Sequence, residues 1–183
     1  MPLAVNEFVS NLRYDGARTN LFQVEITNPV VSSGDNLLPF LCRAASIPES
    51  SINNIQLPYK GRTLNFAGVR PPFDPWQVTV INDEDFMIRN ALETWHNYIN
   101  SLRGNLRRFP SPSPQEYKSV AKVYQLGKLD EVIRVYQFFG IWPQQISSIN
   151  LDYGDDNIQQ FGVTFVYDWY EIVEGTTGNA GGA

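Results

Sequence analysis

His96 is the only histidine in the chain, and that removes much of enzyme chemistry. A His-pair metal site needs two histidines, and a Ser/His/Asp relay needs one set between nucleophile and carboxylate. His96 follows Trp95 directly on a helical pattern, off its apolar face, and reads as an ordinary exposed residue. The run Asp83-Glu84-Asp85 offers hard oxygen ligands for a cation. It also stands just ahead of that helical pattern, where carboxylates cap free N–H groups and meet the positive end of the helix dipole. Capping, with Asp83 and Asp85 as the candidates, is the simpler reading. Asp152, Asp155 and Asp156 resemble half of a calcium loop but lack its alternating carboxylates and its closing bidentate Glu, so a tight turn is the better reading.

Other chemistries fare no better. Arg103, Arg107 and Arg108 form a basic loop that could meet phosphate, but three such residues are more often solvated, and no glycine-rich phosphate loop accompanies them. Carboxylates are plentiful enough for a glycosidase pair, which a sequence alone does not place in space. The 4 Trp and 9 Tyr raise a remote alternative, a carbohydrate-binding β-sandwich. Trp76, Trp95 and Trp169 nevertheless fall on apolar faces, where core packing is the default. The reading contains no catalytic residue, no cofactor and no metal ligand.

The elements that position these residues are clearer than any site. From Phe73 the chain passes through turn chemistry into an alternation of Trp76, Val78 and Val80 against Gln77, Thr79 and Ile81, then through the acidic run into a helix. Ile88, Leu92, Trp95, Ile99 and Leu102 recur at helical spacing and mark one face. Ahead of this, Val5, Phe8, Val9 and Leu12 suit a short helix ended by Asp15-Gly16. Asn20 to Thr27 reads as a strand with Phe22, Val24 and Ile26 on one face. A turn at Ser32 to Asn36 leads to a second strand, Leu37 to Ala45, expected to pair with the first as a hairpin. Ser46 to Tyr59 reads as a long polar connection, and Arg62, Leu64 and Phe66 alternate as a strand. After the irregular Arg103 to Pro114, strands are expected at Val120 to Leu126, Val132 to Trp142 and Ile146 to Tyr153. A closing strand places Phe161, Val163, Phe165, Tyr167 and Trp169 on one face.

The fold class is therefore mainly β, a sandwich or small barrel of antiparallel strands with one principal helix. With 183 residues, 43% of them hydrophobic, the chain can bury one core without a second domain. One domain is expected over residues 1–171, followed by a flexible tail over 172–183. The 14 Lys and Arg against 19 Asp and Glu give a net charge of −5, which argues against a dedicated nucleic-acid binder. Cys42 is the only cysteine, which excludes an intramolecular disulfide and a cysteine-based zinc site. No run approaches the ~18 apolar residues of a membrane helix, and the first residues lack the basic and apolar regions of a signal peptide. The expectation is a soluble protein made in the cytoplasm without stable membrane insertion. So much strand with no site attached implies edges paired with another copy.

Several segments, in order, resemble the tail tube proteins of contractile-tailed bacteriophages. They are Ala17 to Ile26, Phe73 to Glu84, Pro114-Gln-Glu-Tyr-Lys118, Gly140-Ile-Trp-Pro143, and Ile158 to Phe165 with Asp168-Trp-Tyr170. Together they span nearly the whole folded part. The resemblance implies packed sheets beside a helix, joined around a hexameric ring into one inner β-barrel, with rings stacked into a tube that conducts DNA at genome ejection. The implied partners are further copies of the chain, the tail sheath, baseplate and tail terminator proteins, and a tape-measure protein in the lumen. DNA would pass without specific binding, and the implied location is the virion tail. Under this reading Ser46, Ile47, Pro48, Ile52, Ile55, Leu57, Tyr59 and Arg62 are the candidate subunit and ring contacts, with the N-terminal residues and the C-terminal tail also candidates. Glu25, Asp130, Glu131 and Asp168 are candidate lumen carboxylates, since negative charge suits a bore that must not hold phosphate. The Arg103 to Pro114 segment and the glycine-rich tail depart from the family pattern. A tube-initiator or baseplate paralogue and a type VI secretion-like tube protein are the neighbouring alternatives.

Overall fold

A computed structural model of the chain describes residues 5–12, 16–107, 113–178 and 180. In order it runs α1 (Val5–Asn11), β1 (Phe22–Ile26), a 3-10 turn at Ser32–Gly34, α2 (Leu38–Leu41) and β2 (Cys42–Ala45). Then come β3 (Asn54–Tyr59), β4 (Arg62–Ala67), β5 (Trp76–Ile81), α3 (Met87–Ile99), β6 (Asn100–Ser101) and β7 (Leu106–Arg107). The chain closes with α4 (Pro114–Tyr117), β8 (Ser119–Leu126), β9 (Val132–Ile146), β10 (Gln160–Val166) and β11 (Trp169–Glu174). Every strand pairing is antiparallel.

The long strand β9 belongs to two sheets. Val132 to Ile141 pairs with β8, which pairs with β1, while Val135 to Phe139 pairs with β11 on the other side. Trp142 to Ile146 instead pairs with β10, which continues to β5 and β2. The change of sheet falls at Gly140, which is skipped in the register between Val120↔Phe139 and Ser119↔Ile141 and sits at φ +68. An extra residue in a left-handed conformation bends a strand, and glycine adopts it without steric cost. The bend is pinned from outside. Lys118 Nζ lies 2.7 and 2.8 Å from the two carboxylate oxygens of Asp168, and the Asp168 N–H donates to the Phe139 carbonyl at 2.9 Å. The Asp168 side chain lies directly over Gly140.

Between the sheets lies one core. Trp76 of β5 stacks on Phe138 of β9 at 4.6 Å, and Phe161, Val163 and Phe165 of β10 are buried beside them. Helix α3 closes one side with Ile88, Ala91, Leu92 and Trp95, all buried, and Ile99 half-buried against the core, so its expected apolar face is correct through Ile99. Leu102 lies beyond the helix and is exposed. The buried Asn28 fastens β1 to α3 by donating to the Ala91 carbonyl at 3.0 Å. His96 is not a free surface residue. Its Nε2 lies 2.9 Å from the Pro143 carbonyl and ties α3 to the second half of β9. At the start of α3 the cap position is Phe86, at φ 53, while Asp83 Oδ1 accepts from the Met87 N–H at 3.2 Å. Asp83 thus serves the first turn as expected, from a position further out.

Several expectations fail for identifiable reasons. Leu37 to Ala45 is a strand only from Cys42, because Pro39 suits the first turn of a helix and Leu38 is buried there. It does not pair with β1: β2 joins β5, and β1 joins β8. Ser46 to Tyr59 is not wholly a connection, since its last six residues form β3, paired with β4 in a hairpin. Ile146 to Tyr153 is not a strand, because β9 itself extends to Ile146 and a loop follows. The closing strand breaks at Asp168, so Trp169 leaves the core face and stands 48% exposed, stacked on Phe139 at 5.4 Å. Arg103 to Pro114 is not wholly irregular, since it holds β7, which pairs with β6 at the end of α3. The expected helix stop at Asp15, Arg108 and the last residues of the tail lie outside the described residues. Strand β11 runs past the expected boundary at 171 to Glu174.

Gly140→Ala tests the bend. A Cβ there meets the Asp168 carboxylate and forces an alanine to positive φ, so the expected loss is about 1–3 kcal/mol of stability. Denaturant unfolding of the two proteins side by side measures it, and equal stability would show that the bend does not depend on glycine.

Candidate functional site

The β3–β4 hairpin is the largest departure from a self-sufficient fold. It is a two-stranded sheet of its own, and every residue of both strands is exposed. Lys60 and Gly61, at φ 47 and 77, form its two-residue turn, the left-handed pair that matches the twist of a hairpin. The register places Ile55 opposite Phe66, Leu57 opposite Leu64, and Tyr59 opposite Arg62 on one face. The other face carries Asn54, Gln56 and Asn65, with Asn54 Nδ2 donating to Asn65 Oδ1 at 2.9 Å. The arm is therefore amphipathic, and its apolar face is uncovered among the described residues: Ile55 is 55% exposed, Leu57 51% and Phe66 50%. An isolated two-stranded ribbon is marginal in water, and a contiguous apolar patch rimmed by polar residues marks an interaction surface.

The root of the arm is firmly seated. Trp76 Nε1 donates to the Ser46 carbonyl at 2.8 Å, and the Tyr170 hydroxyl donates to the Glu49 carbonyl at 3.4 Å. Arg70 Nη1 donates to Ser50 Oγ at 2.8 Å, and Asn53 and Val69 close the ribbon through a backbone bond of 3.0 Å. The contacts expected from sequence thus divide in two. Ile55, Leu57, Tyr59 and Arg62 converge on the apolar face. Ser46, Ile47 and Pro48 line the groove at the root, beside Asp74 and Tyr167, and Ile52 lies between, exposed. Leu64 and Phe66 complete the face and were not among the expected contacts. Their alternation behind a Lys-Gly turn is the signal that identifies them.

Other apolar surfaces are also uncovered. In α1, Val5, Phe8 and Val9 are all exposed, and Leu151, Tyr153 and Ile158 project from the loop between β9 and β10. Among the described residues, the lateral edges of the β1–β8–β9–β11 sheet, β1 on one side and β11 on the other, have no partner strand.

The expected lumen carboxylates do not gather. Glu25 lies in a cross-strand row, Glu25–Lys122–Gln137–Glu171, on the sheet face averted from the core. It accepts a hydrogen bond from the Tyr124 hydroxyl at 2.8 Å. Partial burial first, and the Glu25 carboxylate second, push that phenol up to about 12. Asp168 is engaged by Lys118 at the strand bend. Asp130 and Glu131 sit in the β8–β9 turn, where Glu131 accepts from the Leu129 N–H at 2.9 Å. Glu171, which completes the row with Glu25, was not singled out from sequence.

Burial pushes the Cys42 thiol up to about 11, so it stays protonated at neutral pH. Among the described residues no His, Cys, Asp and Glu cluster could hold a metal ion, and no helix is long and apolar enough to cross a membrane.

Comparison with known proteins gives a consistent result. The family model described as "Phage tail tube protein" matches residues 17–173. The chain is 36% identical over 159 residues to tail tube protein gp19 of Enterobacteria phage T4, covering 86% of this chain and 92% of that one. It is 29% identical over 153 residues to the tail tube protein of Serratia phage KSP90, covering 81% and 84%. Among solved structures, it shares its fold with a chain of an extracellular contractile injection system, the PVC sheath–tube complex in the extended state. That match has TM-score 0.59 and 12% identity, and covers 93% of this chain and 98% of the other.

Because the arm carries none of the core, Leu57→Ser, Leu64→Ser and Phe66→Ser should each shift the stability of the unassembled protein by no more than about 0.5 kcal/mol. Trp76→Ala should cost about 3–5 kcal/mol. Thermal melts of dilute protein distinguish the two classes, and a large loss from the arm substitutions would mean that the arm folds back on the body.

Proposed function

This chain belongs to the phage tail tube protein family, and we propose that its copies close into hexameric rings that stack as the inner tube of a contractile tail. As a tail tube protein it is a structural component of the virion. The observation that carries the ring is the polarity of one sheet. Along β1–β8–β9–β11 each strand is antiparallel to the next, so β11 and β1 at the two edges are antiparallel to each other. Setting β11 of one copy beside β1 of the next continues the alternation. The contact is head-to-tail, so it closes into a ring if the rotation allows, and closure leaves no open edge.

The core-averted face of that sheet becomes the wall of the bore. Glu25 and Glu171 face it, Asp168 contributes a charge already balanced by Lys118, and Asp130 and Glu131 stand at the β8–β9 turn. Together with the net charge of −5, such a wall lets DNA slide through without specific binding. The tape-measure protein would occupy the same bore before ejection. The sheath would surround the tube, and the baseplate and terminator would cap the two unlike ends of a polar stack. Stacking falls to the arm, α1 and the exposed loops, whose apolar surfaces are uncovered among the described residues. The role is architectural, with no catalytic step.

Electron micrographs of the concentrated protein, alone and with an extract that supplies baseplate seeds, should show rings or tubes with an open bore. A chain that stays monomeric in both preparations would overturn the reading. In purified particles this chain should be abundant, because an initiator paralogue would be scarce.

A further inference from the structure

The arm is basic as well as apolar. Between Glu49 and Asp74 there is no Asp or Glu, and the charged residues are Lys60, Arg62 and Arg70. Beyond Arg134 the balance reverses, with no Lys or Arg and with Asp152, Asp155, Asp156, Asp168, Glu171 and Glu174. The first three share the 147–159 loop with Leu151, Tyr153 and Ile158, and all six of these residues are exposed. The chain thus presents two uncovered surfaces of matching chemistry, one apolar and positive, the other apolar and negative.

They lie at opposite ends of the same strands. The arm joins the body just before Trp76, where β5 begins and where Phe165 of β10 stands opposite. The loop delivers the chain to Gln160, opposite Ile81 at the far end of β5, and the Asn82 N–H donates to the Gln159 carbonyl there at 2.9 Å. The six residues of β5 separate the two ends by about 20 Å. The arm and the loop of one copy are therefore rooted at opposite ends of β5.

We infer that the basic apolar face of the arm of one copy seats on the acidic apolar 147–159 loop of a copy in the adjacent ring. Ile55, Leu57 and Phe66 meet Leu151, Tyr153 and Ile158, while Lys60 and Arg62 meet Asp155 and Asp156. Opposite charges select this register and penalise arm-to-arm and loop-to-loop contact. A surface that differs from its partner surface generates an open stack rather than a closed pair, so the contact supplies axial growth where the sheet edges supply ring closure. The inference rests on the tube reading above.

The test is a charge swap in the full chain. Lys60→Glu with Arg62→Glu, and separately Asp155→Lys with Asp156→Lys, should each raise the protein concentration needed for tubes by about tenfold or more. Circular dichroism melts should show both proteins folded, since these side chains are exposed. The chain carrying all four substitutions should polymerise again, because the reversed arm then faces a reversed loop. Normal polymerisation of the arm variant, or a fourfold variant no better than the pairs, would overturn the contact while the unmodified chain still builds tubes. If the unmodified chain builds no polymer even with seeds, the tube reading and the contact fall together.

Discussion

The bend of β9 at Gly140 is the constraint on which the remaining architecture depends. One continuous strand serves two sheets, and only a residue free to take positive φ lets it change partners without losing its ladder on either side. The bend brings Phe138 and Ile141 into the core from one half and Pro143 from the other, all fully buried. It also brings together segments far apart in sequence. Lys118 from the start of β8 and Asp168 from the β10–β11 junction meet over Gly140. Tyr117 packs edge-on against Trp142 at 6.5 Å, and its carbonyl accepts from Trp95 Nε1 at 2.8 Å. An ion pair this exposed adds little stability by itself. Its consequence is directional, because it fixes where β10 ends and β11 begins and so which sheet each strand joins.

That corner explains why the family-like segments are recognisable. Pro114 to Lys118, Gly140 to Pro143 and Asp168 to Tyr170 are scattered along the chain but form one site of contact. Phe73 joins them through Tyr167 at 5.4 Å and Tyr170 at 5.5 Å. Each position meets a steric or charge demand set by the others, which limits substitution more tightly than a generic apolar position does.

Much of the fold was legible where local pattern and tertiary demand agree. Trp76, Val78 and Val80 alternate because one face of β5 is buried, and Ile88, Leu92 and Trp95 recur because one face of α3 is. Pairing was not legible, because alternation fixes a strand's faces but not its neighbours. β1 and β2 are close in sequence and in space, yet they join β8 and β5 in different sheets. The arm was legible as an uncovered apolar face only in part. Ile55, Leu57 and Tyr59 lay in a stretch read as polar connection, since Pro58 within it argues against a central strand. In a free-standing ribbon the missing proline N–H costs little. The break at Asp168 was hidden because apolar alternation runs through it from Phe161 to Trp169, and only contact with Lys118 and Gly140 shows that the strand ends there.

The even number of strands in the β1–β8–β9–β11 sheet has a consequence for size control. An odd number would leave the edges parallel and oblige neighbours to change pairing type at each seam. With an even number, any count of copies is compatible with unbroken antiparallel alternation, so polarity places no limit on circumference. In the proposed ring, bore diameter would then be a matter of cylinder geometry, set by the tilt of the strands and their stagger at each seam. The lengths of β1 and β11, five and six residues, are nearly matched, so the seam of the proposed ring would leave little of either edge unpaired. Circumferential strain in such a wall would be shared evenly, with no weak meridian along which the cylinder splits.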